Sequence, residues 1–139
     1  MHPKPQPNDS LPPPPEQHYR LVVENLREAV FQLDTEGRFT YLSPAWTELT
    51  GHAVTECLGR PHLDYVHPAD HAHGRELGRE LVARRKECCR HELRYLTRDG
   101  GIRWVEVHVR LMPSNDGAYE GTYGTLNDIT ERRRTTDAL

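Results

Sequence analysis

The sequence has no excess of basic charge. Its 18 lysines and arginines face 21 aspartates and glutamates, a formal net charge of −3. That balance cannot neutralise a phosphate backbone, so nucleic-acid binding is not expected. Long apolar runs are also missing. The longest fall far short of the ~20 residues that cross a bilayer, and MHPKPQPNDS lacks the apolar stretch of a signal peptide. No membrane contact is expected for this segment. Cysteine is scarce and odd in number: Cys57, Cys88 and Cys89. That usage fits a reducing, cytoplasmic setting. Cys88 and Cys89 would point to opposite faces of a strand, so a bridge between them needs strained geometry. Signatures of catalysis are absent as well: no P-loop, no G-x-S-x-G and no HExxH. The many carboxylates are scattered, as on a solvated surface. Enzymatic activity is not expected within these residues.

What is present divides unevenly. Residues 1–17 hold seven of the eleven prolines, with Pro12 to Pro15 consecutive. They lack apolar groups for a core and read as a disordered or polyproline-like tail. The remainder is long enough for one domain with its own core. From His18, Tyr19, Val22, Val23 and Leu26 fall at helical spacing and predict a short amphipathic helix. Ala29–Asp34 and Arg38–Leu42 read as strands joined by the turn Asp34-Thr35-Glu36-Gly37, a hairpin.

A helical region follows. Ser43 is placed to cap and Pro44 to open a helix over Ala45–Leu49, which ends at Gly51. A second short helix covers Ala53–Leu58. Asp70 to about Lys86 is the longest, with Gly74, Leu77, Gly78, Leu81 and Val82 on one face. Two glycines there cost roughly 1 kcal/mol each relative to alanine. They mean either close packing on a sheet or space for a ligand beneath the helix. The last third is strand-rich: His91–Thr97, Ile102–Met112 with Val105, Val107, Val109 and Leu111 on one face, and Ala118–Asn127. Asp128-Ile129-Thr130-Glu131 then opens a polar helix. Asp128 is placed to cap it, with Glu131 reaching back as in a capping box.

Four pieces, in this order, resemble the PAS family with its C-terminal PAC motif. They are Phe31–Tyr41 with Ser43-Pro44-Ala45; Thr50-Gly51 with Leu58-Gly59-Arg60-Pro61; Val66-His67-Pro68-Ala69-Asp70; and Arg98–Val105 with Gly124–Arg132, whose Asp128-Ile129-Thr130-Glu131-Arg132 run is the most diagnostic. The resemblance implies an α+β PAS fold. A five-stranded antiparallel sheet would carry a helical insert between strands two and three, with flanking N-terminal and C-terminal helices. Residues 18–128 would form the sensory domain, and residues 129–139 the start of a signalling helix. It further implies a bacterial signal-input module ahead of an effector in the same chain, a diguanylate cyclase, phosphodiesterase or histidine kinase. The alternatives are a structural dimerisation domain without ligand, and a haem-based gas sensor.

Several side chains are candidates for that role. Phe31, Tyr41, Trp46, Leu77, Leu81, Val107 and Tyr123 are expected to line a pocket between sheet and helices, or else to fill the core. Asp128, Ile129, Thr130 and Glu131 would transfer the signal. Tyr19, Val22, Val23 and Leu26 would pack on the outer sheet face or on their equivalents in a second copy, a homodimer contact that is isologous if two-fold. No cofactor is the leading expectation. For haem, His71 is the candidate ligand, with His73 at the edge of the same face, although both lie nearer the helix start than the family ligand position. Flavin photochemistry is disfavoured because Thr55-Glu56-Cys57-Leu58-Gly59 does not match the Asn-Cys-Arg-Phe type of site. Cys89 and His91 share a strand face, but no second pair at zinc-site spacing joins them, so no metal is expected. Arg132-Arg133-Arg134 reads as the exposed polar face of the exit helix.

Overall fold

The computed structural model describes residues 27–83 and 88–138, and their side chains except those of Cys88 and 136–138. The proline-rich stretch 1–17 and the helix expected around Tyr19, Val22, Val23 and Leu26 lie outside the described residues.

Alternation of apolar and polar residues produces five strands: β1 (Ala29–Leu33), β2 (Phe39–Leu42), β3 (Cys88–Leu96), β4 (Ile102–Pro113) and β5 (Tyr119–Asp128). They form one antiparallel sheet in the order β2-β1-β5-β4-β3. The last strand therefore lies at the centre, paired with β1 from Ala29↔Leu126 to Leu33↔Thr122. This close pairing dictates one residue type. Gly121 has φ +135°, and a Cβ there would sit 1.9 Å from the Leu33 carbonyl oxygen. Only glycine fits such a backbone approach. The β1–β2 turn is held by the Asp34 carboxylate, whose Oδ1 accepts the N–H groups of Glu36 and Arg38 at 2.8 and 2.9 Å.

Between β2 and β3 the chain crosses one sheet face as α1 (Ala45–Thr50), α2 (Val54–Cys57), two 3-10 turns (His62–Tyr65 and Pro68–Asp70) and α3 (His71–Val82). The core lies beneath this insert. Ala29, Phe31 and Leu33 meet Val105, Val107, Leu93, Tyr95 and Leu126 from the sheet and Trp46 from α1. Trp46 is fully buried. Its ring lies 5.2 Å from Phe39, 5.7 Å from Tyr65 and 6.0 Å from Tyr95, tilted or edge-on, the arrangement that ring quadrupoles favour. Its Nε1–H donates to the Cys57 sulfur at 3.3 Å. The result is the α+β PAS architecture.

Local details correct the sequence expectations. Ser43 does not cap α1. It is fully buried, and its Oγ accepts the Val30 N–H at 2.8 Å, tying the end of β2 to β1. The sheet offered a buried donor, which outcompetes an exposed helix end. Asp70 belongs to a 3-10 turn rather than to α3, and α3 closes at Val82 instead of Lys86. Val82 is 42% exposed, so it leaves the inward stripe, while Leu81 is 1% exposed. Residues 84–87 lie outside the described residues.

Candidate functional site

Two regions are candidate sites: a cavity under α3 and the joint where β5 becomes the exit helix. The cavity has a volume of about 90 Å³. Phe31, Leu77, Leu81 and Val107 line it, together with Phe39, Leu93, Tyr95 and the imidazoles of His62 and His91. Both helix glycines reach it. A Cβ on Gly78 would meet no atom within 4 Å, and one on Gly74 would make ordinary contact with Leu63 at 3.5 Å. Neither glycine is demanded by tight packing; both leave room. Leu33, His62, Gly78 and Thr122 border both the cavity and a surface groove of about 630 Å³.

Three expected pocket residues lie elsewhere. Trp46 is sunk in the aromatic core rather than on the cavity wall. Tyr41 and Tyr123 both pair with Gln32, one residue out of phase with inward-facing Phe31 and Leu33. Strand alternation puts them on the opposite sheet face. Conversely, Leu93, Tyr95 and His91 were readable as one face of β3 with Cys89. His62 was not, because it sits in a proline-punctuated stretch without periodicity.

Electrostatics suit an apolar cavity. Burial, helped by nearby His71 and opposed by Asp64, pushes the His62 imidazole down to about 4. It is neutral at physiological pH. Burial also holds the Tyr95 hydroxyl well above its ordinary range. His71 is not on the cavity wall; its Nε2 lies 2.8 Å from the Val66 carbonyl oxygen. His73 meets His91 edge-on at 5.7 Å. Among the described residues no three His, Cys, Asp or Glu side chains form a metal cluster. Cys57 is fully buried against Trp46, away from the cavity lining.

The second region is the exit. Asp128 still pairs with Val105 in the sheet, and the exit helix, α4 (Thr130–Ala138), starts two residues later. Ile129 and Thr130 are buried. The Ile129 N–H donates to the Trp104 carbonyl at 2.9 Å, and the Thr130 hydroxyl accepts the Trp104 N–H at 2.9 Å. Asp128 holds both sides of the joint. Its Oδ1 accepts the Thr130 N–H at 2.9 Å, and its Oδ2 takes Arg103 at 3.0 Å. The expected capping box is incomplete, because Glu131 pairs with Arg134 at 3.0 Å instead of reaching back. Nor is the arginine run uniformly exposed. Arg132 and Arg133 reach Glu92 at 3.2 and 3.0 Å, and the Arg133 guanidinium covers the Trp104 ring.

Side-chain contacts link the turn before α3 to the exit helix. Asp70, just before α3, accepts three bonds from Arg94: the backbone N–H at 2.8 Å, Nε at 3.1 Å and Nη2 at 2.8 Å. These bonds hold the Asp70 carboxyl below its ordinary range. The Arg94 guanidinium also lies 5.3 Å from the Trp104 ring centre. A continuous path of contacts thus runs from the start of α3 through Arg94 and Trp104 to Arg133 on α4.

Comparison with known proteins agrees with this geometry. The PAS fold model matches residues 17–129. Sporulation kinase C of Bacillus subtilis (strain 168) is 35% identical over 122 residues, covering 85% of this chain and 27% of that protein. The solved PAS domain of a Colwellia psychrerythraea protein superposes with TM-score 0.78 at 21% identity, covering 84% of this chain and 98% of that one. A sensory box histidine kinase/response regulator from Burkholderia thailandensis E264 gives 0.70 at 24% identity, covering 88% and 92%. The chain spans only about a quarter of the curated kinase it resembles. Among the described residues no helix is long and apolar enough to cross a membrane. The chain belongs to the PAS fold family, as a sensory domain homologous to part of Sporulation kinase C.

Proposed function

We propose that this domain is the signal input of a histidine kinase carried in the same polypeptide. A diguanylate cyclase is the less supported effector, since the similar proteins with named activities include kinases. The input is a small, largely apolar molecule held under α3. The output is the attachment of α4 to the sheet. The observation that carries this reading is the shared wiring: Asp70, just before the cavity helix, grips Arg94, and Arg94 and the exit helix's Arg133 both lie against the Trp104 ring. A ligand that moves α3 disturbs Asp70, and the disturbance reaches the exit helix through fixed ionic and ring contacts. Such a ligand acts by binding one arrangement better than the other. Tyr19, Val22, Val23 and Leu26 would join two copies, so that both exit helices respond together.

The test is native mass spectrometry of the purified chain, followed by thermal shifts against a metabolite panel. A retained small molecule, or a raised melting point with one chemical class, supports the sensor. Uniformly flat responses, with a core that a crystal structure shows filled, would instead make this a structural interaction domain. Sedimentation checks the dimer, and a monomer at high concentration would remove that part.

A further inference from the structure

A second site lies on the opposite end of the sheet from the cavity mouth, in a groove of about 740 Å³ between α1, the β3–β4 turn, the start of β4 and the exit helix. Three guanidiniums from three different elements line it: Arg98 from the turn, Arg103 from β4 and Arg134 from α4. The acidic residue in its lining is Asp99. That carboxylate already accepts the Thr97 hydroxyl and the Gly101 N–H. Its lining thus counts three cations against one anion, before the acids paired with those arginines are included.

Each arginine has an acidic partner. Arg98 meets Glu56 at 3.5 Å, Arg103 meets Asp128 at 3.0 Å and Arg134 meets Glu131 at 3.0 Å. None of the three acids lines the groove. Each contact engages Nη1 alone, and every side chain involved is at least a third exposed. Exposed pairs of this kind hold weakly, and a guanidinium with five N–H donors keeps Nη2 and Nε for another acceptor. Planar guanidiniums match phosphate oxygens two at a time. Beside them Ile102 is 44% exposed and Leu49 backs the groove, which gives an apolar surface next to the charges. The volume falls within the ~300–1,000 Å³ usual for small-molecule sites.

The geometry points to a nucleoside polyphosphate site in this groove, with the phosphates on Arg98, Arg103 and Arg134 and the base against Ile102. Such a ligand would tie the exit helix to the β3–β4 turn, because Arg134 rides on α4 while Arg98 does not. It is separate from the cavity ligand and does not depend on it.

The test is calorimetric titration of the whole chain with ATP, tripolyphosphate and adenosine, at low and at moderate salt. The variants are Arg98→Gln/Arg134→Gln, Ile102→Ser and, as a control for general charge, Arg79→Gln in the other groove. All these side chains are exposed, and a thermal melt checks that each variant folds. Saturable binding of ATP, weakened at least tenfold in the double arginine variant and unchanged in Arg79→Gln, is the expected result. ATP should bind several-fold tighter than tripolyphosphate, with the gap closed by Ile102→Ser. Equal binding of ATP and tripolyphosphate would reduce the site to a phosphate site and overturn the nucleoside part. No saturable binding, or equal loss in Arg79→Gln, would overturn the site.

Discussion

Arg133 of the exit helix lays its guanidinium over the indole of Trp104, 3.8 Å from the ring centre. The helix segment Thr130-Glu131-Arg132-Arg133-Arg134-Thr135 offers almost no apolar surface for docking. Its hold on the sheet therefore rests on Ile129, the Thr130–Trp104 pair, the Arg132 and Arg133 ion pairs with Glu92 and this cation–π contact. A double-mutant cycle between Arg133→Ala and Trp104→Leu should give a coupling of about 0.5–2 kcal/mol. Amide exchange at residues 130–134 reads it. Additive effects would mean that the stacking carries nothing.

At the other end of the path, Asp70→Asn keeps the shape but removes the charge that Arg94 grips from three directions. Both side chains are less than a third exposed. The substitution should lower stability by about 1–3 kcal/mol, measured by urea unfolding. It should also raise exchange at 130–134, although Asp70 touches none of those residues in the contacts described.

The cavity makes two opposed predictions. Gly78→Ala adds a methyl where no atom stands within 4 Å. It should stabilise the domain by about 0.5–1 kcal/mol through helix propensity. Leu81→Ala deletes a side chain that is 1% exposed and enlarges the space, at a cost of about 2–5 kcal/mol. Denaturant midpoints decide both. A destabilised Gly78→Ala would mean that the added methyl has no room there.

Stability should fall in mild acid because of His62. In the folded state its imidazole titrates at about 4, whereas the unfolded chain titrates near ~6.5. Between those values the unfolded state binds the extra proton. Stability is thus full above about pH 6.5 and declines until about pH 4. The ring is only partly buried, so the loss should stay near ~2 kcal/mol after allowance for solvent screening. His62→Gln should flatten the profile between pH 4 and 6.5, read by thermal melts; an unchanged slope would assign it to other groups.

The fold was legible because its signals are local. Val105 and Val107 alternate on one strand face, Gly37 and Gly51 stand where turns need positive φ, and Ser43-Pro44 marks the start of the insert. The cavity was half legible. Leu77, Leu81 and Val107 follow from period and line it with Phe31, whereas Tyr41 and Tyr123 lie on the other sheet face. Phase, set by the Gln32 pairing, overrides residue type. The Arg133–Trp104 and Asp70–Arg94 contacts join residues 29 and 24 positions apart. No local pattern encodes such pairs, since they exist only once β3 and β4 are side by side.

The central claim is that the cavity and the exit helix are coupled. Amide exchange at residues 129–135 in the chain with Leu77→Phe, which fills the cavity, tests it most directly when referenced to the core amides of β1. The account predicts a change of at least about fivefold relative to the unsubstituted chain, the low end of allosteric coupling. A shifted melting point showing the cavity filled, with exchange at 129–135 unmoved, would contradict it.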